Sequence, residues 1–340
     1  MENFMSKKYD VITYGRSSID LYSNNIGAPF IDIKEFGAFV GGSPLNIAVG
    51  AKRLGLNSAL LTAVGNDMVG KFLLNFLQKE GVETKFIPIK DKARTSAVIL
   101  GIEPPDNFPL VYYRDNCADS KVDIDDVLNT DIANSRLIEF SATALNIEPT
   151  RSAAFFAAER ALENNVPVLI DLDFRADQWY DPRSFGVTVR AFLNYCKLAI
   201  GTEEEILATM LKDPSQIKIK NQQISAPEIT GNVDEAIKGI LQRGVEALIV
   251  KRGVKGSSVH LKDGSVIEVP GFPVEVINIL GAGDAFAAGF IFGFLQGWDW
   301  YKCCRLANAC GAILVTKHGC ANFNPTYEEA MSFIESKGGF

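Results

Sequence analysis

The sequence predicts an α/β fold of three layers, α/β/α, with a mostly parallel central sheet and a small β lid beside it. Short apolar runs of strand length alternate with longer amphipathic stretches along most of the 340 residues. Those runs are apolar on both faces, as strands must be when helices cover them from either side. Two segments, residues 20–40 and 95–115, break the rhythm and read as β without an intervening helix. A single domain over 1–340, with those two segments forming a lid over a cleft, fits the whole pattern.

In chain order, "YDVITYG" is a buried strand that ends at Gly15. "SPLNIAVGAKRLGL" carries apolar residues at helical spacing, with Ser43 as the expected N-cap and Pro44 at the first helical position. "NSALLTAVG" is the second core strand, and "MVGKFLLNFLQKEGV" an amphipathic helix ended by Gly81. Further strands are "SRLIEFSA", "VPVLIDLD", "CKLAIGT" and "VEALIVKRG". The helical stretches "TRSAAFFAAERALENN", "EEEILATMLK" and "VDEAIKGILQRG" separate most of them. The polar, Pro-containing stretch Lys212–Asn232 reads as a surface insertion. No internal repeat or low-complexity tract interrupts the order.

Composition excludes several classes. A net charge of −7, with no block of Lys or Arg, argues against nucleic-acid binding. Six cysteines without a C-x-x-C pair, and only two histidines, argue against a zinc site and for a reducing compartment. "MENFMSKKYD" has no apolar core of signal-peptide length, and the apolar run from Ala285 is too short to span a bilayer. A cytoplasmic protein without membrane contact is the expectation.

Ligands of open α/β sheets sit at the carboxyl ends of strands, on loops that lead into helices. "NILGAGDAFAAGF" places Gly281, Ala282, Gly283 and Asp284 directly before an apolar helix expected over Ala285–Leu295. Such a turn is an anion site, because glycine admits close approach and the first helical N–H groups are unpaired. Asp284 there is either a helix cap or a proton acceptor for a hydroxyl that attacks a phosphate. Near the other end of the chain, "VGGSPLNIA" sets Gly41 and Gly42 before a helix and Asn46 in its first turn, a solvated amide or a donor to a polyol. Asp20, following the first strand, is suited to grip sugar hydroxyls. Neither G-x-x-x-x-G-K-[ST] nor G-x-G-x-x-G occurs at a strand end, which disfavours a Walker-type nucleotidase and a dinucleotide enzyme.

Taken together, "GGSPLNIAVGAKRLG" and "NILGAGDAFAAGF" resemble the two signatures of the ribokinase/PfkB family of carbohydrate kinases, in the same order and each before a helix. The resemblance covers nearly the whole chain and implies a ribokinase-like fold with ATP and Mg²⁺ as cofactors. It implies Asp284 as the catalytic base and the turn Gly281-Ala282-Gly283 as the hole for the transferring phosphoryl. "VKRGVKGS" resembles the family's K-x-G-x-x-G strand end, so Lys251, Gly253 and Gly256 are expected against the nucleotide phosphates, at a tight hairpin turn. "GTEEE" resembles an N-x-x-E element, with Glu204 organising Mg²⁺ through water but Gly201 where Asn is usual. Asn308, in "LANACGAI", is expected at the adenine edge. Asn278, Ile279 and Leu280 depart from the family pattern, and weakened monovalent-cation binding is expected there.

The acceptor is narrowed by "VYYRDNCADS" and "IDLDFRADQWYD", which place Tyr112, Arg114 and Arg175 at lid and strand ends. Both stretches resemble PfkB kinases that act on sugar acids, whose arginines hold a carboxylate through paired hydrogen bonds. The resemblance therefore implies phosphorylation of the terminal hydroxyl of a keto-deoxy sugar acid. A 2-keto-3-deoxygluconate kinase, then a fructokinase-like neutral-sugar kinase, and from a different class a non-catalytic sugar-binding regulator, remain as alternatives. The family also implies a homodimer paired through the lid.

Overall fold

The computed structural model describes residues 7–104, 107–219 and 226–340. β1 (Tyr9–Tyr14) is the first core strand, after which β2 (Ser18–Ser23) and β3 (Phe36–Gly41) pair antiparallel outside the main sheet. α1 (Ser43–Arg53) begins one residue earlier than expected, so that Ser43 is its first helical residue and Gly42 its cap. The reason is the backbone at Gly42, whose φ of 104° suits glycine alone. β4 (Ser58–Leu61), the short β5 (Val64–Gly65), α2 (Met68–Glu80) and the short β6 (Ile89–Lys90) follow. Gly81 ends α2 in the left-handed conformation.

β7 (Ser96–Leu100) and β8 (Leu110–Tyr113) return to the outer sheet, and α3 (Ile124–Leu128) leads back to the core. Strand and helix then alternate through β9 (Ser135–Ser141), α4 (Thr150–Glu163), β10 (Val168–Asp171), α5 (Pro182–Phe192), β11 (Leu198–Thr202) and α6 (Glu203–Ala208). A two-residue hairpin of β12 (Ile217–Lys218) and β13 (Glu228–Ile229) stands within the predicted insertion, whose residues 220–225 lie outside those described. The chain closes with α7 (Val233–Leu241), β14 (Ala247–Lys251), β15 (Ser257–Leu261), β16 (Val266–Val269), α8 (Ala282–Leu295), α9 (Trp300–Leu314) and α10 (Tyr327–Ser336).

The main sheet has eight strands in the order β16-β15-β14-β11-β10-β9-β1-β4. It is parallel from β14 to β4, with β15 and β16 antiparallel at one edge. Side chains alternate between two cores, as strand geometry requires. Ile138, Phe140 and Ile170 pack with Ala153, Ala157, Phe185 and Val189 of α4 and α5. Val11, Leu137 and Leu169 pack on the opposite face with Ala285, Ala288 and Ala307 of α8 and α9. Sheet and two helix layers thus give the three-layer architecture.

α8 is apolar all round because it is enclosed by α1, α9 and the sheet. Its glycines are contact points: a Cβ on Gly289 would stand 2.9 Å from Ala307 Cα, and one on Gly293 2.9 Å from Cys303 Cα. Gly50 of α1 meets Ala288 in the same way, at 2.7 Å. Close packing on both sides fixes where the first turn of α8 points.

The second sheet has the order β3-β2-β7-β8 and is built from the two segments that lacked helices. Register puts Asp20 opposite Phe39 and Val98, and Val98 opposite Tyr112, all on the face toward the body of the protein. Leu21, Ala38, Ile99 and Val111 occupy the other face.

Candidate active site

A cavity of about 610 Å³ opens at the carboxyl ends of β10, β11 and β14, against the start of α8. A smaller chamber of about 60 Å³ adjoins it beneath the second sheet. Asp173, Arg175, Gly281 and Asp284 line both. Part of the predicted surface insertion borders the larger space, since Ala226, Pro227 and Glu228 are in its wall.

Asp284 stands at the junction. α8 starts at Ala282 rather than Ala285, with Gly281 as its cap at φ 80°, so Asp284 lies inside the first turn and makes no cap hydrogen bond. Its Oδ2 accepts instead from Asn46 Nδ2 at 2.7 Å, across 238 residues of chain. Burial and the charge of Asp173 push the Asp284 carboxyl above its ordinary range, against the opposing pull of Asn46, Ser43 and Lys251. The Ala282 amide donates to Ile279 O at 3.2 Å. Among the described residues the amides of Gly283 and Asp284 have no backbone acceptor, which leaves them to meet an anion. A Cβ on Gly281 would fall 2.1 Å from Cys320 Sγ, so glycine is required there both for φ and for space.

The chamber is walled by Asp20, Tyr22, Asn46, Tyr112 and Arg16. Gly41 makes room for Asp20, since a Cβ at 41 would come within 2.0 Å of Asp20 Oδ2. A Cβ on Gly42 would stand 2.3 Å from the Arg16 carbonyl oxygen. Asp20 Oδ1 accepts from Ser18 Oγ at 2.7 Å. Burial raises Asp20 to about 6, although Arg16 and Ser18 oppose the rise. Arg16 is 8% exposed, donates to Ser18 Oγ at 2.7 Å and lies over the Tyr112 ring at 5.0 Å.

Between the two spaces lies a buried network of charge. Lys251 Nζ is 3.0 Å from Asp171 Oδ1 and 3.6 Å from Glu205 Oε2. Burial alone would lower the Lys251 ammonium, but Asp171 and Glu205 outweigh it and hold the group protonated. The ammonium also comes within 3.1 Å of the place a Cβ on Gly283 would take, so it flanks the α8 turn. Arg175 Nη2 meets Asp173 Oδ1 at 2.7 Å, and its Nη1 lies 4.0 Å from Glu205. Asp173 has φ 27°, unusual for a non-glycine residue, and accepts from Ser141 Oγ at 2.9 Å. Burial would raise its carboxyl, yet Arg175 and Arg16 keep it below the ordinary range. Beneath this row, on the same face of the sheet, Glu139 of β9 is fully buried and neither carboxyl oxygen has a hydrogen-bond partner. Burial, reinforced by Asp171 and Asp284, pushes its carboxyl well above the usual range.

On the far side, Gly253 and Gly256 turn the β14–β15 hairpin at φ 56° and 93°, and both line the cavity. Glu204 is exposed in the same wall, and among the described residues no hydrogen bond or ion pair holds its carboxylate. Gly201 has a packing reason: a Cβ there would lie 2.7 Å from Leu172 Cδ1, so no Asn fits without moving Leu172. Asn308 lines the cavity, but its Nδ2 donates to Val269 O at 3.3 Å and Pro270 O at 3.2 Å, so only its Oδ1 is left for a ligand. Asn278 is buried and ties its Oδ1 to the Leu280 amide at 3.0 Å, while Leu280 becomes a wall of both cavities.

One expected residue is displaced. Arg114 does not line either cavity: its Nε donates to Asp119 Oδ2 at 2.7 Å and its Nη1 to Gln178 Oε1 at 2.9 Å and Thr143 O at 3.2 Å. The Asp119 carboxylate draws the guanidinium away from the cleft, and Arg16 stands beside Arg175 instead. Arg16 and Glu205 were not anticipated as site residues. Arg16 follows the strand end in "YGRSSID", and Glu205 closes a T-x-x-E capping box with Thr202, a legible signal for a buried carboxylate.

Among the described residues no helix is long and apolar enough to cross a membrane, and no cluster of three His, Cys, Asp or Glu is arranged to hold a metal. The model of the pfkB family of carbohydrate kinases matches residues 8–327. A 5-dehydro-2-deoxygluconokinase of Clostridium perfringens is 30% identical over 335 residues, 97% of this chain and 94% of the relative. One of Bacillus anthracis is 31% identical over 332 residues, covering 97% and 96%. Among solved structures, a fructokinase of Xylella fastidiosa with bound ATP superposes with a TM-score of 0.82 at 23% identity, covering 97% of this chain and 99% of that one. The chain belongs to the pfkB family of carbohydrate kinases.

Proposed function

We propose that this protein transfers the terminal phosphoryl group of ATP to the 6-hydroxyl of 5-dehydro-2-deoxy-D-gluconate, giving the 6-phosphate and ADP. The observation that carries the chemistry is the Asn46–Asp284 hydrogen bond, which joins the two signature motifs at the boundary of a deep chamber and a wide cleft. The acceptor follows from relatives of that name at 30–31% identity over 97% of the chain, together with two arginines in the chamber.

In this reading Asn46 fixes the Asp284 carboxylate so that its other oxygen takes the proton of the attacking hydroxyl. Burial and Asp173 raise its proton affinity, which strengthens it as a base. Asp20 orients the sugar through its hydroxyls. The amides of Gly283 and Asp284, beside Lys251, receive the phosphoryl oxygens at the positive end of α8. Gly253 and Gly256 let the nucleotide approach the hairpin backbone. Glu204, a carboxylate left unpaired in the cleft wall, is of the right chemistry to hold Mg²⁺ through water. Mg²⁺, when bound, neutralises charge on the phosphate oxygens. The second sheet serves as the lid, and its apolar outer face of Leu21, Ile99, Val111 and Tyr113 is where a second copy would pair.

The test is kcat/KM with ATP across 5-dehydro-2-deoxygluconate, 2-keto-3-deoxygluconate and fructose. The first is expected to lead by at least about tenfold over the second, a difference of one well-placed hydrogen bond. A lead for fructose overturns the sugar-acid reading.

A further inference from the structure

Of the cations Lys251, Arg175, Arg114 and Arg16, in or near the site, the first three are matched. Lys251 meets Asp171 at 3.0 Å, Arg175 meets Asp173 at 2.7 Å and Arg114 meets Asp119 at 2.7 Å. Arg16 differs. Among the described residues it makes no ion pair, and its hydrogen bond goes to a neutral hydroxyl, Ser18 Oγ, at 2.7 Å. Asp20 is reached only through that hydroxyl, which donates onward to Asp20 Oδ1 at 2.7 Å.

Burial works against its charge, and Tyr112 with the more distant Asp20 and Asp173 outweighs it, but among the described residues no carboxylate touches the guanidinium, which is 8% exposed. It is nevertheless held firmly. The Tyr112 ring supports one side at 5.0 Å, and the backbone at Arg16 is pinned against Gly42. Such pre-positioning, on the wall of a chamber partly lined by Leu110 and Leu280, matches a ligand that brings its own negative charge.

We infer that Arg16 is the specificity-determining residue for the acceptor's acid group: its free N–H groups pair with the carboxylate of the bound sugar acid. This rests on the sugar-acid reading and adds the residue that enforces it. Arg175, already neutralised by Asp173, positions that aspartate and the chamber wall rather than supplying the missing charge.

The experiment compares the sugar acid with its primary amide, which keeps size and hydroxyls but carries no charge, as acceptors with ATP and Mg²⁺. Wild type is expected to prefer the acid by about 100-fold or more in kcat/KM, the scale for a buried charge pair. In Arg16→Met the acid should lose about 100-fold while the amide changes by less than about threefold, so that the preference collapses. Arg16→Lys, which keeps the charge but not the planar fork, should lose about tenfold on the acid alone, and it supplies the readout if the Met variant does not fold. An Arg16→Met or Arg16→Lys enzyme whose acid preference is undiminished from wild type overturns the assignment and leaves the sugar-acid reading intact. Equal losses on both acceptors also overturn it, by assigning Arg16 to the scaffold. A wild type that uses the amide as well as the acid removes the sugar-acid reading and the inference together.

Discussion

Asn46 and Asp284 lie 238 residues apart in the chain and share a hydrogen bond of 2.7 Å. The bond gives each of two helix starts a role that neither has alone, because α1 supplies the donor that orients a carboxylate carried by α8. Asp284→Asn should lower kcat by about 10²–10⁴-fold, the usual worth of a general base, while isothermal calorimetry still detects sugar binding. Asn46→Ala should cost about 10–100-fold, as expected for a hydrogen bond to a charged group. The direction in pH is also set. Asn46 pulls the Asp284 carboxyl down, so its loss moves the acid limb of the kcat/KM profile to higher pH. A profile that stays in place in Asn46→Ala would separate the two residues functionally.

Gly41 is a test of space alone. A methyl group there would approach Asp20 Oδ2 to 2.0 Å, and Asp20 is the carboxylate on the inner face of the second sheet. Gly41→Ala should raise KM for the sugar by about 100-fold, since a displacement near 1 Å suffices for that. KM for ATP should stay within about twofold, because the nucleotide side of the cleft is untouched. Steady-state kinetics with each substrate varied in turn would read both.

Glu139 predicts how stability changes with pH. Its folded carboxyl is raised well above the unfolded value, so its contribution is complete below the unfolded value and is lost as pH rises toward the folded one. Glu139→Gln removes that loss. The variant should be more stable than wild type near pH 8, with little difference near pH 4, in urea denaturation. An unchanged pH dependence would mean that a bound cation or water already satisfies the carboxyl oxygens.

The outer face of the second sheet predicts assembly. Val111 is 43% exposed and Tyr113 58%, on the same face of the sheet as Leu21 and Ile99. Val111→Glu with Tyr113→Lys should convert a two-chain species to a one-chain species in sedimentation equilibrium. A wild type that sediments as a single chain at micromolar concentration sinks the pairing.

How far the site could be read from residue order depended on the range of the forces involved. The turn at Gly281–Gly283, the hairpin at Gly253 and Gly256 and the helix-free segments of the second sheet are local, and local chemistry announces them. The start of α1 was missed by one residue because Gly42, not Ser43, carries the left-handed backbone. Arg114 and Arg16 look alike in sequence. What separates them is Asp119 and Gln178, brought to Arg114 by folding, whereas among the described residues no carboxylate pairs with Arg16. Gly201 stands where the sequence pattern calls for a ligand, and Leu172, outside any local window of sequence, fills the space that a side chain would take. Glu205 was passed over for Glu204, although helix phase buries one and exposes the other.

β2 serves two masters at single-residue spacing. Asp20 and Tyr22 face the chamber, and Leu21 between them faces outward. Inserting or deleting one residue ahead of Asp20 would therefore invert the strand, putting a leucine into the chamber and a carboxylate into the outer apolar face. Variation in length should be confined to the stretch between β2 and β3, where loops absorb it, and any change of the chamber wall must proceed by substitution along β2, never by sliding it.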